Sequence, residues 1–178
     1  MTLVRKGGLS MKIVSTGHAS YRVSDREKAL HFYCDCLGLK KKFTITYREI
    51  RDYMKLPEDD PWRRKMDEFE DDVWLTYLEI APHQYLELFH PEGATQRYNF
   101  PLSNSGHIGY LHLALEVDDI FAAYRELKAR PEVTVISEPS MGIEHAWQFW
   151  IEDPDGNSIE LMQYEDDAWQ LTGHEASR

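Results

Sequence analysis

Residues 109–119 read GYLHLALEVDD and residues 153–162 read DPDGNSIELM. The first stretch is strand-like. It opens on His112 and closes on Asp residues able to cap a helix. The second is a tight turn leading into a strand with Glu160 at its centre. The same plan occurs earlier in the chain: GHASYRVSD at 17–25 opens on His18, and QYLELF at 84–89 centres on Glu87. Both His residues have a Val five positions on (Val23, Val117) and an Asp seven on (Asp25, Asp119), and both Glu residues sit between a branched aliphatic residue and a Leu. A repeat that keeps two His and two Glu points to one site assembled from two copies of a module. Two imidazoles with two carboxylates suit a divalent transition metal.

Outward from these segments the chain reads as strand, helix, then several strands, twice over. Residues 12–23 are expected to be a strand. Ser24 or Asp25 caps the following helix, whose apolar stripe is Ala29, Leu30, Phe32, Tyr33, Cys36 and Leu37 and which Gly38 ends. In the second copy, residues 110–117 are the strand. Ile120, Ala123, Tyr124 and Leu127 share a helix face, and VTVIS, HAWQFWIE and SIELMQY follow as strands. This order gives an α+β fold with helices on one face of a largely antiparallel sheet. The modules are expected at 12–90 and 110–164, with a tail at 165–178. His18 to Glu87 spans 69 residues and His112 to Glu160 spans 48, so the first copy carries an insertion near 47–72. That stretch is charged and interrupted by Pro, and reads as a short helical excursion: a lid or dimer arm, or a solvated surface insertion.

Composition sets the class. The chain has 178 residues, 42% of them hydrophobic, with a formal net charge of −11. The acidity argues against nucleic acid and anionic membrane surfaces as partners. No apolar run has the length of a membrane span or signal peptide, so a cytoplasmic setting is expected. Met11 is an alternative start. Cys34 and Cys36 stand two apart on a helix and point in different directions, which argues against a disulfide framework.

His18 with Arg22–Asp25, the helix ending HFYCDCLGL, Glu87 in YLELF, His112 in GYLHLALEVDD and Glu160 in DPDGNSIEL resemble the vicinal-oxygen-chelate superfamily, the glyoxalase I, bleomycin-resistance and extradiol-dioxygenase group. The resemblance covers residues 13–164 without the insertion. It implies two βαβββ modules whose curved mixed sheets form a cup, and a homodimer. It further implies one divalent ion (Ni, Zn, Co, Mn or Fe) held by His18, Glu87, His112 and Glu160. Glu at position 87 resembles glyoxalase I-like enzymes rather than the three-ligand dioxygenases. The implied activity is a lactoylglutathione lyase-like isomerase or lyase, shifting a proton next to a carbonyl through a metal-stabilised enediolate, with Glu160 or Glu87 as the base. The alternatives are an Fe(II) dioxygenase and a non-catalytic small-molecule-binding protein.

Among the other candidates, Arg22 matches a glutathione-carboxylate position, Trp150 a substrate wall, and His145 precedes WQFW in a loop suited to substrate contact. His90 stands at the edge of the Glu87 strand. His31, His83, His107 and His174 read as exposed rather than functional. Pro91 replaces an expected Asn, and Glu138 and Glu144 replace the basic residues some members carry before DPDG. A smaller, more neutral α-hydroxycarbonyl therefore fits at least as well as a glutathione hemithioacetal.

Overall fold

A computed structural model describes residues 13–90 and 109–174. Met11, Pro91 and His107 lie outside the described residues. The chain divides into two compact units, residues 1–21 with 40–89 and residues 22–39 with 90–178. Each is an open sheet with helices, and the architecture is the α+β fold of two βαβββ repeats expected from the sequence.

The first unit is a four-stranded sheet in the order β1–β4–β3–β2: β1 (His18–Arg22), β2 (Lys40–Thr46), β3 (Val73–Ala81) and β4 (Gln84–Phe89). β1 begins at His18, later than the strand expected from residue 12. β3 runs antiparallel to both β2 and β4. A two-residue turn joins β3 to β4, with Pro82 followed by His83 at φ 63°. Between β2 and β3 lie two helices, α2 (Tyr47–Met54) and α3 (Pro61–Glu68). Thr46 and Glu49 form a reciprocal capping box on α2, and Asp60 caps α3 ahead of Pro61. The two helices are tied by Arg51, whose Nη1 donates to Asp67 and Glu70, each at 2.9 Å, while Tyr47 and Met66 are buried beneath them. The arginines of this stretch thus answer its acidic run at short range.

The second unit is a sheet in the order β5–β9–β8–β6: β5 (Leu113–Glu116), β6 (Thr134–Val135), β8 (Ala146–Glu152) and β9 (Ser158–Tyr164), with β7 (Ser140–Met141) also pairing with β8. β6 and β7 meet β8 at different points along it and together take the place of one strand. β5 is parallel to β9, and the other pairs are antiparallel. Helix α4 (Ile120–Lys128) is capped by Asp119, which accepts from the backbone N–H of Phe121 and Ala122. Two edge-to-face ring pairs seat it on β8: Phe121 on Trp147 and Tyr124 on Phe149. Trp147 and Phe149 thus face the helix, as strand alternation requires. A short helix, α5 (Trp169–Thr172), follows β9.

Helix α1 (Arg26–Leu30), capped by Asp25, continues as a π-helical stretch (His31–Cys36) and groups with this second unit. Its apolar stripe is buried at Ala29, Phe32, Tyr33 and Cys36, and Gly38 ends it at φ 76°. What fastens it is the DPDG turn. Asp153 accepts from the N–H groups of Asp155 (2.9 Å) and Asn157 (2.8 Å), from Asn157 Nδ2 (2.8 Å) and from the Tyr33 hydroxyl (2.8 Å). Asp155 accepts from Ser24 N at 2.9 Å, just ahead of the helix cap. Both carboxylates are buried, so their hydrogen bonds offset a desolvation cost that would otherwise oppose folding. Neither Cys34 nor Cys36 forms a disulfide among the described residues.

Candidate functional site

In the first unit, His18 begins β1 and Glu87 lies mid-β4, the neighbouring strand. His18 Nε2 stands 3.8 Å from Glu87 Oε2. Leu86 and Leu88 point to the opposite face and are buried, which leaves Glu87 on the face shared with His18. The carboxylate accepts from the Ser20 hydroxyl, two residues along β1, and from the Tyr77 hydroxyl on β3. Tyr77 is the in-register neighbour of Glu87. Burial, and then the hydrogen bond to Glu87, push the Tyr77 hydroxyl up to about 12, so it is a lasting donor. Its ring stands edge-on to His18 at 5.8 Å and stacks on Phe43 at 4.6 Å.

The second unit repeats the arrangement. β5 runs parallel to β9 with Ala114 opposite Glu160, so His112, two residues before Ala114, falls on the Glu160 side. His112 immediately precedes β5 rather than lying within it. Its Nε2 is 3.2 Å from Glu160 Oε2. Trp150 is the in-register neighbour of Glu160 on β8, and its ring meets His112 edge-on at 4.8 Å. Burial pushes the Glu160 carboxyl up, opposed by His112 and reinforced by Glu144. The buried Nδ1 of His112 has no hydrogen-bond partner among the described residues. A buried polar atom left without a partner costs about 1–3 kcal/mol, and calls for a reason other than stability.

Each unit thus holds a triplet: a His, a Glu, and an aromatic residue in register with the Glu and edge-on to the His. Tyr77 stands ten residues before Glu87 and Trp150 ten before Glu160. The sequence reading picked out Trp150 and missed Tyr77, although this shared spacing marks both. Arg22 Nη1 donates to the main-chain oxygen of His90 at 3.1 Å. His145 lies at the opposite end of β8 from Trp150, with Nδ1 2.8 Å from Asp167 and the ring tilted against Trp169. Both residues therefore have partners within the protein. Among the described residues no helix is long and apolar enough to cross a membrane.

Comparison with known proteins agrees with this architecture. Residues 15–161 match the family model described as the glyoxalase/bleomycin resistance protein/dioxygenase superfamily. A 2-epi-5-epi-valiolone epimerase from Actinomyces sp. is 31% identical over 71% of this chain and 64% of its own length, so the chain spans under two thirds of that relative. A lactoylglutathione lyase from Pseudomonas putida is 29% identical, covering 82% of this chain and 83% of its own. Among solved structures, a superfamily member from Sphaerobacter thermophilus aligns with TM-score 0.53 at 26% identity, over 85% of this chain and 98% of the other. A lactoylglutathione lyase from Agrobacterium tumefaciens aligns with TM-score 0.53 at 22% identity, over 86% and 96%, a likeness of fold.

Proposed function

The chain belongs to the glyoxalase/bleomycin resistance protein/dioxygenase superfamily, and from that premise we propose that it is a divalent-metal-dependent isomerase or lyase that moves a proton between carbons next to a carbonyl. The observation that carries this reading is the doubled triplet of His, Glu and aromatic ring. The ion's donors are His18, Glu87, His112 and Glu160, an assignment that rests on the sequence repeat and on donor chemistry. Two imidazoles and two carboxylates are a mixed N/O set that would fit Ni, Zn, Co, Mn or Fe(II). The uncompensated Nδ1 of His112 is consistent with an imidazole kept for chemistry. When bound, the ion supplies Lewis-acid stabilisation of negative charge on a substrate oxygen.

The chain's own residues supply the rest. Glu160 is the proton carrier. His112 Nε2 stands 3.2 Å from it, and burial makes its carboxylate more basic than an exposed one. Glu87 is the positioning carboxylate. The hydroxyls of Ser20 and Tyr77 donate to its oxygens and fix its orientation. Trp150, packed on His112, walls the Glu160 side and excludes water from the carbon that exchanges its proton. The negative charge of Glu144, which acts on Glu160, disfavours a polyanionic substrate, so a small α-hydroxycarbonyl is the proposed class, with a hemithioacetal second. The relatives named above, an epimerase and a lyase, support the class of step.

The test is exchange of substrate C–H for solvent deuterium, followed by NMR over a panel of α-hydroxyketones and glutathione hemithioacetals. Exchange is expected with at least one of them, is stopped by a chelator, and falls about 10²–10⁴-fold in Glu160→Gln. Exchange that persists in Glu160→Gln, or oxygen consumption in its place, would overturn the proposal.

A further inference from the structure

A second cluster of metal-binding side chains stands apart from the two triplets. His31 and Cys36 open and close the π-helical stretch, and Glu132 follows α4. One ligand atom from each lies within 4.8 Å of the others. Cys36 Sγ is 3.6 Å from Glu132 Oε1, and His31 Nε2 is 3.6 Å from the same oxygen. At a tetrahedral ion with metal–ligand bonds of about 2.0–2.3 Å, neighbouring donor atoms stand roughly 3.3–3.8 Å apart. Both separations fall in that range.

The backbone explains how the two helix residues come together. In an α-helix, residues five apart are turned roughly 140° from each other and cannot share a ligand. The i→i+5 register of a π-helix brings such residues back towards one face, and single π-turns occur often at functional sites. His31 carries a further mark. Its Nδ1 is 2.8 Å from Asp35 Oδ2, the carboxylate partner that metal-binding histidines commonly have on their other ring nitrogen. In the neutral tautomer whose Nδ1–H donates to Asp35, Nε2 presents a lone pair to the Glu132 oxygen. Two acceptors then face each other across a gap that a cation would fill.

We propose that His31, Cys36 and Glu132 form a second metal site, suited to a thiophilic divalent ion such as Zn(II) or Co(II), with the fourth position open to solvent. Thiolate, imidazole and carboxylate together select such ions over Mg(II) and Ca(II). Binding displaces the Cys36 thiol proton to solvent and neutralises the two anionic ligands. Arg130 Nη1 stands 3.9 Å from the same Glu132 oxygen, and its half-exposed side chain can swing aside. The ion would cross-link the first helix to the segment after α4. Like the DPDG turn, it would hold α1 within the second unit.

The test is titration of the full chain with Co(II), because a thiolate ligand gives a near-ultraviolet sulfur-to-cobalt charge-transfer band that the sulfur-free His/Glu triplets cannot give. The wild type and Cys34→Ser should show the band once Co(II) is in excess over both proposed sites; Cys36→Ser should lose it. Asp35→Asn, an exposed change that leaves all three ligands in place, should weaken Co(II) binding about tenfold. The melting temperature should rise with Co(II) in Cys34→Ser by more than in Cys36→Ser. No band in wild type, or a band that survives Cys36→Ser, overturns the proposal. An Asp35→Asn protein that binds Co(II) as tightly as wild type removes the role given to the His31 carboxylate partner.

Discussion

Replacing Tyr33 by Phe tests whether the DPDG turn holds the first helix in the second unit. The hydroxyl lost is a buried donor to the Asp153 carboxylate at 2.8 Å. A hydrogen bond to a charged acceptor contributes about 1.5–3 kcal/mol. Asp153 keeps its other donors, Asp155 N, Asn157 N and Asn157 Nδ2, so the carboxylate is not left bare and the loss falls at the low end, about 1.5–2 kcal/mol. For a chain of this size that lowers the melting temperature by roughly 3–8 °C. Asp153→Ala strips the acceptor from two backbone N–H groups, an amide and a phenol at once, and is expected to cost about 3–5 kcal/mol. Urea unfolding gives both numbers, with an unchanged m value confirming a stability effect. The substitution also has a pH signature. Burial first, and then Asp153, raise the Tyr33 pKa well above its ordinary value of 10.0. The folded chain keeps this proton where the unfolded chain loses it, so the contribution is full below about pH 10 and declines as pH rises above it. Wild type should therefore lose stability more steeply than Tyr33→Phe on the alkaline side. A Tyr33→Phe protein within 0.5 kcal/mol of wild type, together with an Asp153→Ala cost under about 1 kcal/mol, would refute the clamp.

Two further substitutions probe the sheets. Tyr77→Phe removes a hydroxyl that holds Glu87 and should cost about 0.5–1.5 kcal/mol in urea unfolding; in a competition titration, metal affinity should fall about 10–100-fold. Unchanged affinity would reduce Tyr77 to a packing role. Gly156→Ala forces a side chain onto a left-handed position at φ 79° and should cost roughly 1–2 kcal/mol, read by the same unfolding assay. An unaffected midpoint would show that the turn after Asp155 relaxes without strain.

The pairing of His18 with Glu87 and of His112 with Glu160 was legible because each pair recurs with the same local pattern, and strand alternation puts each pair on one face. Helix caps at Asp25 and Asp119, and the buried stripe through Phe32 and Tyr33, were equally local signals. The start of β1 was not: the pattern before His18 is apolar enough to read as strand, yet Ile13 and Val14 are exposed and unpaired with a neighbour in the sheet. His145 looked like a loop residue next to an aromatic run. Its partner Asp167 lies 22 residues on, across a backbone bond from Glu165 N to His145 O that no local pattern announces. The structural role of Asp153 depends on a tyrosine 120 positions away. His31 read as an ordinary exposed helix residue because Glu132 is remote in sequence and the π-helical register that turns Cys36 towards it has no periodicity signature of its own.

Metal content bears most directly on the central claim that the two His–Glu pairs bind an ion. It should be measured by elemental analysis of the purified full chain in a Cys36→Ser background, which removes the sulfur ligand of the second cluster. About one divalent transition ion per chain is predicted, lost on adding either His18→Ala or His112→Ala, since each pair supplies a needed imidazole. An ion retained in full by either variant, or no ion bound or taken up by the parent, would contradict the account.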